Sequence, residues 1–174
     1  MKDRLLILGA GQYGTVAKEI AESMQCFEKI DFLDDQNGIA IDKLAHYGRY
    51  ATHYSHAIVA IGDAELRLSY LQGLEQAGFQ LATLISPYAY VSPSAQILKG
   101  SIVEPMAVIN PEATLAVGVI VCAGAIVNHN AAVERGCLLQ CGSVVAARAT
   151  VRPLCTLAYH EVFPAREMPV EKRI

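Results

Sequence analysis

Two short segments of the 174-residue chain hold residue types that chemistry can use. Gly9-Ala10-Gly11-Gln12-Tyr13-Gly14 is a GxGxxG turn between an apolar run and a helical pattern. Such a turn lets backbone N–H groups and a helix N-terminus approach a phosphate. Asp34 stands twenty residues past Gly14, at the end of a second apolar run, where a carboxylate can accept hydrogen bonds from ribose hydroxyls. The other segment is Asn128-His129-Asn130. A neutral imidazole with a pKa near working pH can take the proton of an amine or hydroxyl as it attacks a carbonyl. The five cysteines (Cys26, Cys122, Cys137, Cys141, Cys155) are odd in number and form no CxxC pattern. No His or Cys stands at ligand spacing from Cys137 and Cys141, so no metal is expected, and the set suits a reduced, cytoplasmic compartment.

Elements must position these residues, and the two halves of the chain supply different ones. In the N-terminal half, residues 5–8, 29–33, 57–61 and 79–85 read as strands, and 15–24 and 64–77 as helices. Strands alternating with helices imply a parallel sheet flanked by helices, a Rossmann-like α/β domain. Residues 38–54 carry no clear pattern. The domain has room for only about four strands, half of a dinucleotide fold, so a mononucleotide or nucleotide sugar fits the glycine turn better than NAD.

After Pro87 the period becomes six. Residues 89–160 divide into twelve hexads, whose third positions run from Val91 and Ile97 to Val151 and Leu157 and are all aliphatic. Eleven of the twelve first positions are small, Val119 being the exception, and Gly100, Gly118, Gly124, Gly136 and Gly142 all fall on the sixth. An amphipathic helix would repeat at 3.6 residues, and hairpins would not hold a period of six this long. The reading is a left-handed parallel β-helix of about four coils, an all-β prism in which each hexad is one short strand plus a corner and the aliphatic residue points inward. The expected domains are 1–86, Rossmann-like, and 87–174, β-helix with a C-terminal tail. The α/β half is expected to cap one end of the prism, with neighbouring subunits covering a face.

The balance of 14 Lys+Arg against 17 Asp+Glu, a net charge of −3, gives no basic stripe for nucleic acid. A chain 53% hydrophobic without a long unbroken apolar run suggests extensive burial and no membrane insertion.

Taken together, GAGQYG followed by FLDD, IVAIGD, ISPYAYVSPSA and hexads containing VNHN resemble the bacterial NDP-sugar acetyltransferases. These include the bacillosamine-pathway N-acetyltransferases and the sialic-acid O-acetyltransferases, and the resemblance covers nearly the whole chain. It implies a homotrimer that transfers acetyl from acetyl-CoA to an amino or hydroxyl group of a nucleotide-linked sugar, bound at the seam between the domains. By position, Gly9, Gly11, Gln12 and Tyr13 would line the nucleotide phosphates, Asp34 and Asp35 would face base and ribose, and Gly62 would share that cleft. His129 occupies the place of the catalytic base, with Asn130 beside it, and Gly142 and Ser143 fall where the family holds acetyl-CoA. The chain departs from the family pattern at four places: Asn130 replaces an acid, Leu138 a second histidine and Ala147 a glycine, and the repeats stop about one coil early. Two readings follow, an active acetyltransferase or a diverged member that binds a nucleotide sugar, or serves as a trimeric scaffold, without transfer.

Overall fold

The structure, a computed structural model, describes residues 3–165; the expected tail beyond them lies outside the described residues. Four parallel strands, β1 (Asp3–Leu8), β2 (Phe27–Leu33), β3 (His56–Val59) and β4 (Gln80–Leu81), form a sheet in the order β2-β1-β3-β4. Leu5 to Leu8 are apolar without alternation because both faces of β1 are covered. Leu5 and Ile7 share a core with Ala17 and Ile20 of α1 (Gln12–Ser23), whereas Leu6 and Leu8 share another with Leu71 and Leu74 of α2 (Ala64–Gln76). Residues 38–54, without pattern in the sequence, contain a 3₁₀ helix, Leu44–Tyr50.

The strand expected over 79–85 is divided. Gln80–Leu81 closes the sheet, and Leu84–Ile85 (β5) pairs with Ile102–Val103, opening a second stack just ahead of Pro87. From β5 to Val162–Phe163, fourteen two-residue parallel strands stack into three walls of five, five and four rungs. Each rung bonds to the one a full coil of eighteen residues on, as Ile102, Ile120 and Leu138 do. The period of six therefore produces the coil, with one rung more at each end than the hexads suggested. The aliphatic third residues fill the interior, and so do the small first ones: Ala107, Ala113, Ala125 and Cys137 lie in the same core as Ile109, Leu115, Val127 and Leu139.

Every corner from residue 100 to residue 160 takes a left-handed backbone, with φ between 57° and 75°. Five of these corners are the glycines of the sixth position; Met106, Glu112, Asn130, Arg148, Leu154 and His160 adopt the conformation without that freedom. Each non-glycine corner costs about 1–2 kcal/mol, held in place by the rung hydrogen bonds on both sides.

The outward second residues distinguish the walls. Ile102 and Ile120 of the first wall are fully buried, because the α/β half lies along it with α1 in their core. That half therefore covers a wall and not an end of the prism as expected; its sheet and α1 present a flat apolar side that matches a wall. The second wall presents Tyr90, Val108, Ile126, Val144 and Val162, an unbroken apolar row that the other described residues leave at least partly exposed. The third presents Gln96, Thr114, Ala132 and Thr150. No helix among the described residues is long and apolar enough to cross a membrane.

Arg67 of α2 joins the halves. Its side chain is 0% exposed. It donates to the Gly118 carbonyl at 2.9 Å and the Gly136 carbonyl at 2.6 Å on the prism, and to those of Ile61 and Gly62 at 2.7 and 2.9 Å after β3. At Gly100, Gly118 and Gly136, stacked on one corner, an added Cβ would fall within 3.0 Å of the Leu68 or Leu71 side chain, so glycine also makes room for α2. Arg67→Met should leave these buried carbonyls unpaired and cost about 2–4 kcal/mol. Thermal unfolding should show a lower midpoint and separate melting of the two halves; an unchanged single transition would contradict this role.

Candidate active site

The turn after β1 and the segment after β3 meet where the strand order reverses. Open α/β sheets bind ligands in this crevice, at the carboxyl ends of the strands. The glycine spacing follows from close packing there. Gly9 has φ of 102°, and a Cβ on it would lie 2.8 Å from the Ala60 carbonyl oxygen. Gly14, inside α1, approaches the Gly9 carbonyl so closely that a Cβ would collide with it. Gly11 is the N-cap of α1, has no side chain to cap it and faces open space, leaving the first N–H groups of the helix available to an anion.

Asp34 holds the turn in shape. Its carboxylate accepts the Ala10 N–H at 2.8 Å and those of Gln36 and Asn37 at 2.8 and 2.9 Å. The bond from Ala10 is the foremost of several backbone hydrogen bonds that hold its pKa below the usual carboxylate value. In this chain the carboxylate is thus taken up by backbone donors. Asp35 is exposed and accepts the Leu44 N–H at 3.1 Å.

A cleft of about 330 Å³ opens between this turn and the first prism wall. Gln12, Tyr13 and Gly62 line it from one side, Ile120, Cys122, Leu138 and Gln140 from the other, and Tyr159 at its edge. Three residues expected at the sugar nucleotide therefore come together. The wall residues were not anticipated; a hint lies in the fourth hexad positions Glu104, Cys122 and Gln140, which are eighteen residues apart and stack in one column. A larger cavity of about 400 Å³, between α2 and the third wall, is lined by Leu68, Leu71, Leu98 and the Lys99–Glu75 ion pair. It holds none of the residues singled out for chemistry.

His129 lies elsewhere. It sits at the corner joining the second and third walls, exposed, with Nδ1 3.1 Å from Asn130 Oδ1. An amide oxygen only accepts, so this bond places the proton on Nδ1 and leaves the Nε2 lone pair free for an incoming proton. Asn130 takes the corner's left-handed backbone, φ 57°, a conformation asparagine tolerates well. The full width of the second wall separates this corner from Cys122 and Gln140. Gly142 lies at the intervening corner, under the His160 ring, where a Cβ would come 2.5 Å from Nδ1. Ser143 is 0% exposed, and its hydroxyl is buried inside the prism without a partner.

Other proteins share this architecture. Residues 4–74 match the PglD N-terminal domain family. The acetyltransferase domain of PglB from Neisseria gonorrhoeae, in complex with acetyl coenzyme A, superposes with TM-score 0.79 at 29% identity, over 90% of this chain and 85% of that one. The H-to-N mutant of perosamine N-acetyltransferase from Caulobacter crescentus, in complex with CoA and GDP-perosamine, shares the fold with TM-score 0.76 at 23% identity, over 91% of this chain and 84% of that one. The chain is therefore built as a nucleotide-type α/β domain on a left-handed parallel β-helix. Its N-terminal half carries the PglD N-terminal domain signature, and the whole chain is similar to the acetyltransferase domain of PglB.

Replacing Asp34 with Asn removes a charged acceptor from three N–H groups and should cost about 1–2 kcal/mol at neutral pH. Because the folded carboxyl titrates below its unfolded value of about 3.9, its contribution is full above that value and fades as the pH falls through the lower folded one. Urea midpoints of the two proteins should therefore differ at pH 7 and converge in acid. A gap that persists unchanged there would contradict the charged clamp.

Proposed function

We propose that the protein is a cytoplasmic acetyltransferase that moves the acetyl group of acetyl-CoA onto an amino or hydroxyl group of a nucleotide-linked sugar. The observation that carries this is the cleft at the switch point. Uncapped helix N–H groups and the Gln12-Tyr13 turn face a prism wall across a space suited to a diphosphate and a sugar. The likeness to an acetyltransferase domain in complex with acetyl coenzyme A, at 29% identity, supports the donor.

His129 is the general base. The acceptor nitrogen or oxygen attacks the thioester carbonyl while Nε2 takes its proton; the tetrahedral intermediate then expels the CoA thiolate, and the imidazolium returns the proton to that sulfur. Asn130 orients the ring without adding charge. His129 stands one corner further along the coil than the cleft of its own chain, with the second wall between them.

A homotrimer resolves this separation. The second wall is an apolar face that the described residues leave partly exposed, and placing it toward a threefold axis buries Val108, Ile126 and Val144 together. The corner carrying His129 bounds that wall on one side; the corner carrying Gly124, Gly142 and His160 bounds it on the other. Around the axis, the first corner of one subunit meets the second corner of the next. His129 then stands beside the neighbour's cleft, and acetyl-CoA runs along the subunit boundary past the corner that carries Gly142.

Thioester consumption with UDP- and dTDP-linked amino sugars tests the role of the imidazole. His129→Ala should lower kcat by about 10²–10⁴-fold while calorimetric binding of the nucleotide sugar stays unchanged. Binding by the wild type with no turnover would instead identify a non-catalytic nucleotide-sugar binder.

A further inference from the structure

A cluster of metal-type ligands that the transfer reaction does not use lies behind the cleft. Glu104, Cys122 and Cys141 come from three successive coils, and one carboxylate oxygen and the two sulfurs lie within 4.8 Å of one another. The cluster is largely dry, with Glu104 at 8% and Cys122 at 5% exposure. One Glu104 oxygen, Oε2, accepts the Ala123 N–H at 3.0 Å, which fixes the carboxylate from outside the cluster. A fourth group borders it: the Tyr13 hydroxyl stands beside Glu104 and Cys122, buried and without a hydrogen-bond partner. Cys122 also lines the cleft, so an ion has a path in.

We propose that Glu104, Cys122 and Cys141 form a zinc site, with two thiolates and one carboxylate oxygen as ligands and the fourth position facing the Tyr13 hydroxyl. Two sulfurs select a soft or borderline cation over magnesium or calcium. A tetrahedral ion with Zn–S near 2.3 Å needs its ligand atoms about 3.8 Å apart, inside the spread the cluster already has. Both thiols lose their protons on binding, so each zinc releases two protons to solvent. Two thiolates, one carboxylate and the dication leave a charge of −1, which the buried Arg67 guanidinium, close enough for its charge to act on Cys122, offsets. Burial and the Glu104 charge push the Cys122 thiol above its usual range; a cation is what makes its thiolate accessible there. The ion would tie three coils together and fix the floor of the cleft. The site stands apart from acetyl transfer, and its metal can be measured whether or not the protein turns over.

Reduced, metal-stripped full-length protein is titrated anaerobically with Zn²⁺ against a chromophoric chelator, and with Co²⁺. One ion per chain and a thiolate-to-cobalt charge-transfer band are expected. Affinity should fall at least about tenfold in Glu104→Gln and be lost in Cys122→Ser and Cys141→Ser, with Cys26→Ser and Cys155→Ser unchanged. Should a buried Cys→Ser change unfold the chain, alkylation of Cys141 in the wild type, mapped by mass spectrometry, supplies the second readout and should slow at least tenfold with zinc. A wild type without the cobalt–thiolate band, folded Cys122→Ser and Cys141→Ser variants that bind as tightly, or Cys141 alkylated equally fast with and without zinc would each overturn the proposal.

Discussion

The relation of the two halves rests on one buried guanidinium. Arg67 has no acid partner among the described residues; it is satisfied by carbonyl oxygens alone, taken from the end of β3 on one side and from two prism corners on the other. Burial lowers its pKa, but arginine stays charged far above working pH, and the planar fork fixes direction as well as distance. The corner carbonyls are free to accept because each left-handed corner turns its peptide away from the rung ladder. Gly62 is bonded to the same guanidinium and lines the cleft, so the width of the cleft follows from how that fork is seated.

The prism imposes the second constraint. Three walls give three corners per coil, and a side chain serves only the corner or wall its hexad position dictates. The wall covered by α1 carries the cleft, the wall beside it presents an apolar row, and His129 stands on the far corner of that second wall. A single chain thus presents a nucleotide-type crevice and an imidazole that do not meet. In the proposed homotrimer, packing of the second wall would join them, and burial of Val108, Ile126 and Val144 would favour assembly through the same contact that completes the site.

Much of this was legible in the sequence, because period and punctuation are local properties. Aliphatic third positions define the coil, and GxGxxG marks the turn whose glycines at 9 and 14 admit the close contacts now seen. What escaped depends on contacts between coils. Glu104, Cys122 and Cys141 look unrelated until the eighteen-residue coil stacks Cys122 on Glu104 and sets Cys141 one residue past the next rung of that column, and Arg67 reads as an ordinary surface residue of a helix. The strand at 79–85 was read as one because nothing in its apolar run shows that the chain leaves the sheet at Leu81 and enters the prism at Leu84. Ser143 shows two lines of reasoning in tension: its place as a first hexad residue makes it inward-facing, as it is, whereas resemblance alone set it beside the cofactor. The role of Asp34 was visible as a carboxylate at the end of a strand, but not that neighbouring backbone N–H groups would occupy it.

The most direct measurement mixes two variants, His129→Ala and one carrying a disabled cleft, such as Gln12→Ala with Tyr13→Ala, after each alone is shown to lack turnover. Unfolded together and refolded, they should regain about a quarter of wild-type activity, the share of boundaries in a randomly mixed trimer that pair an intact cleft with an intact histidine. Mixed oligomers as inactive as their parents would show that cleft and imidazole must belong to one chain, contradicting the shared site.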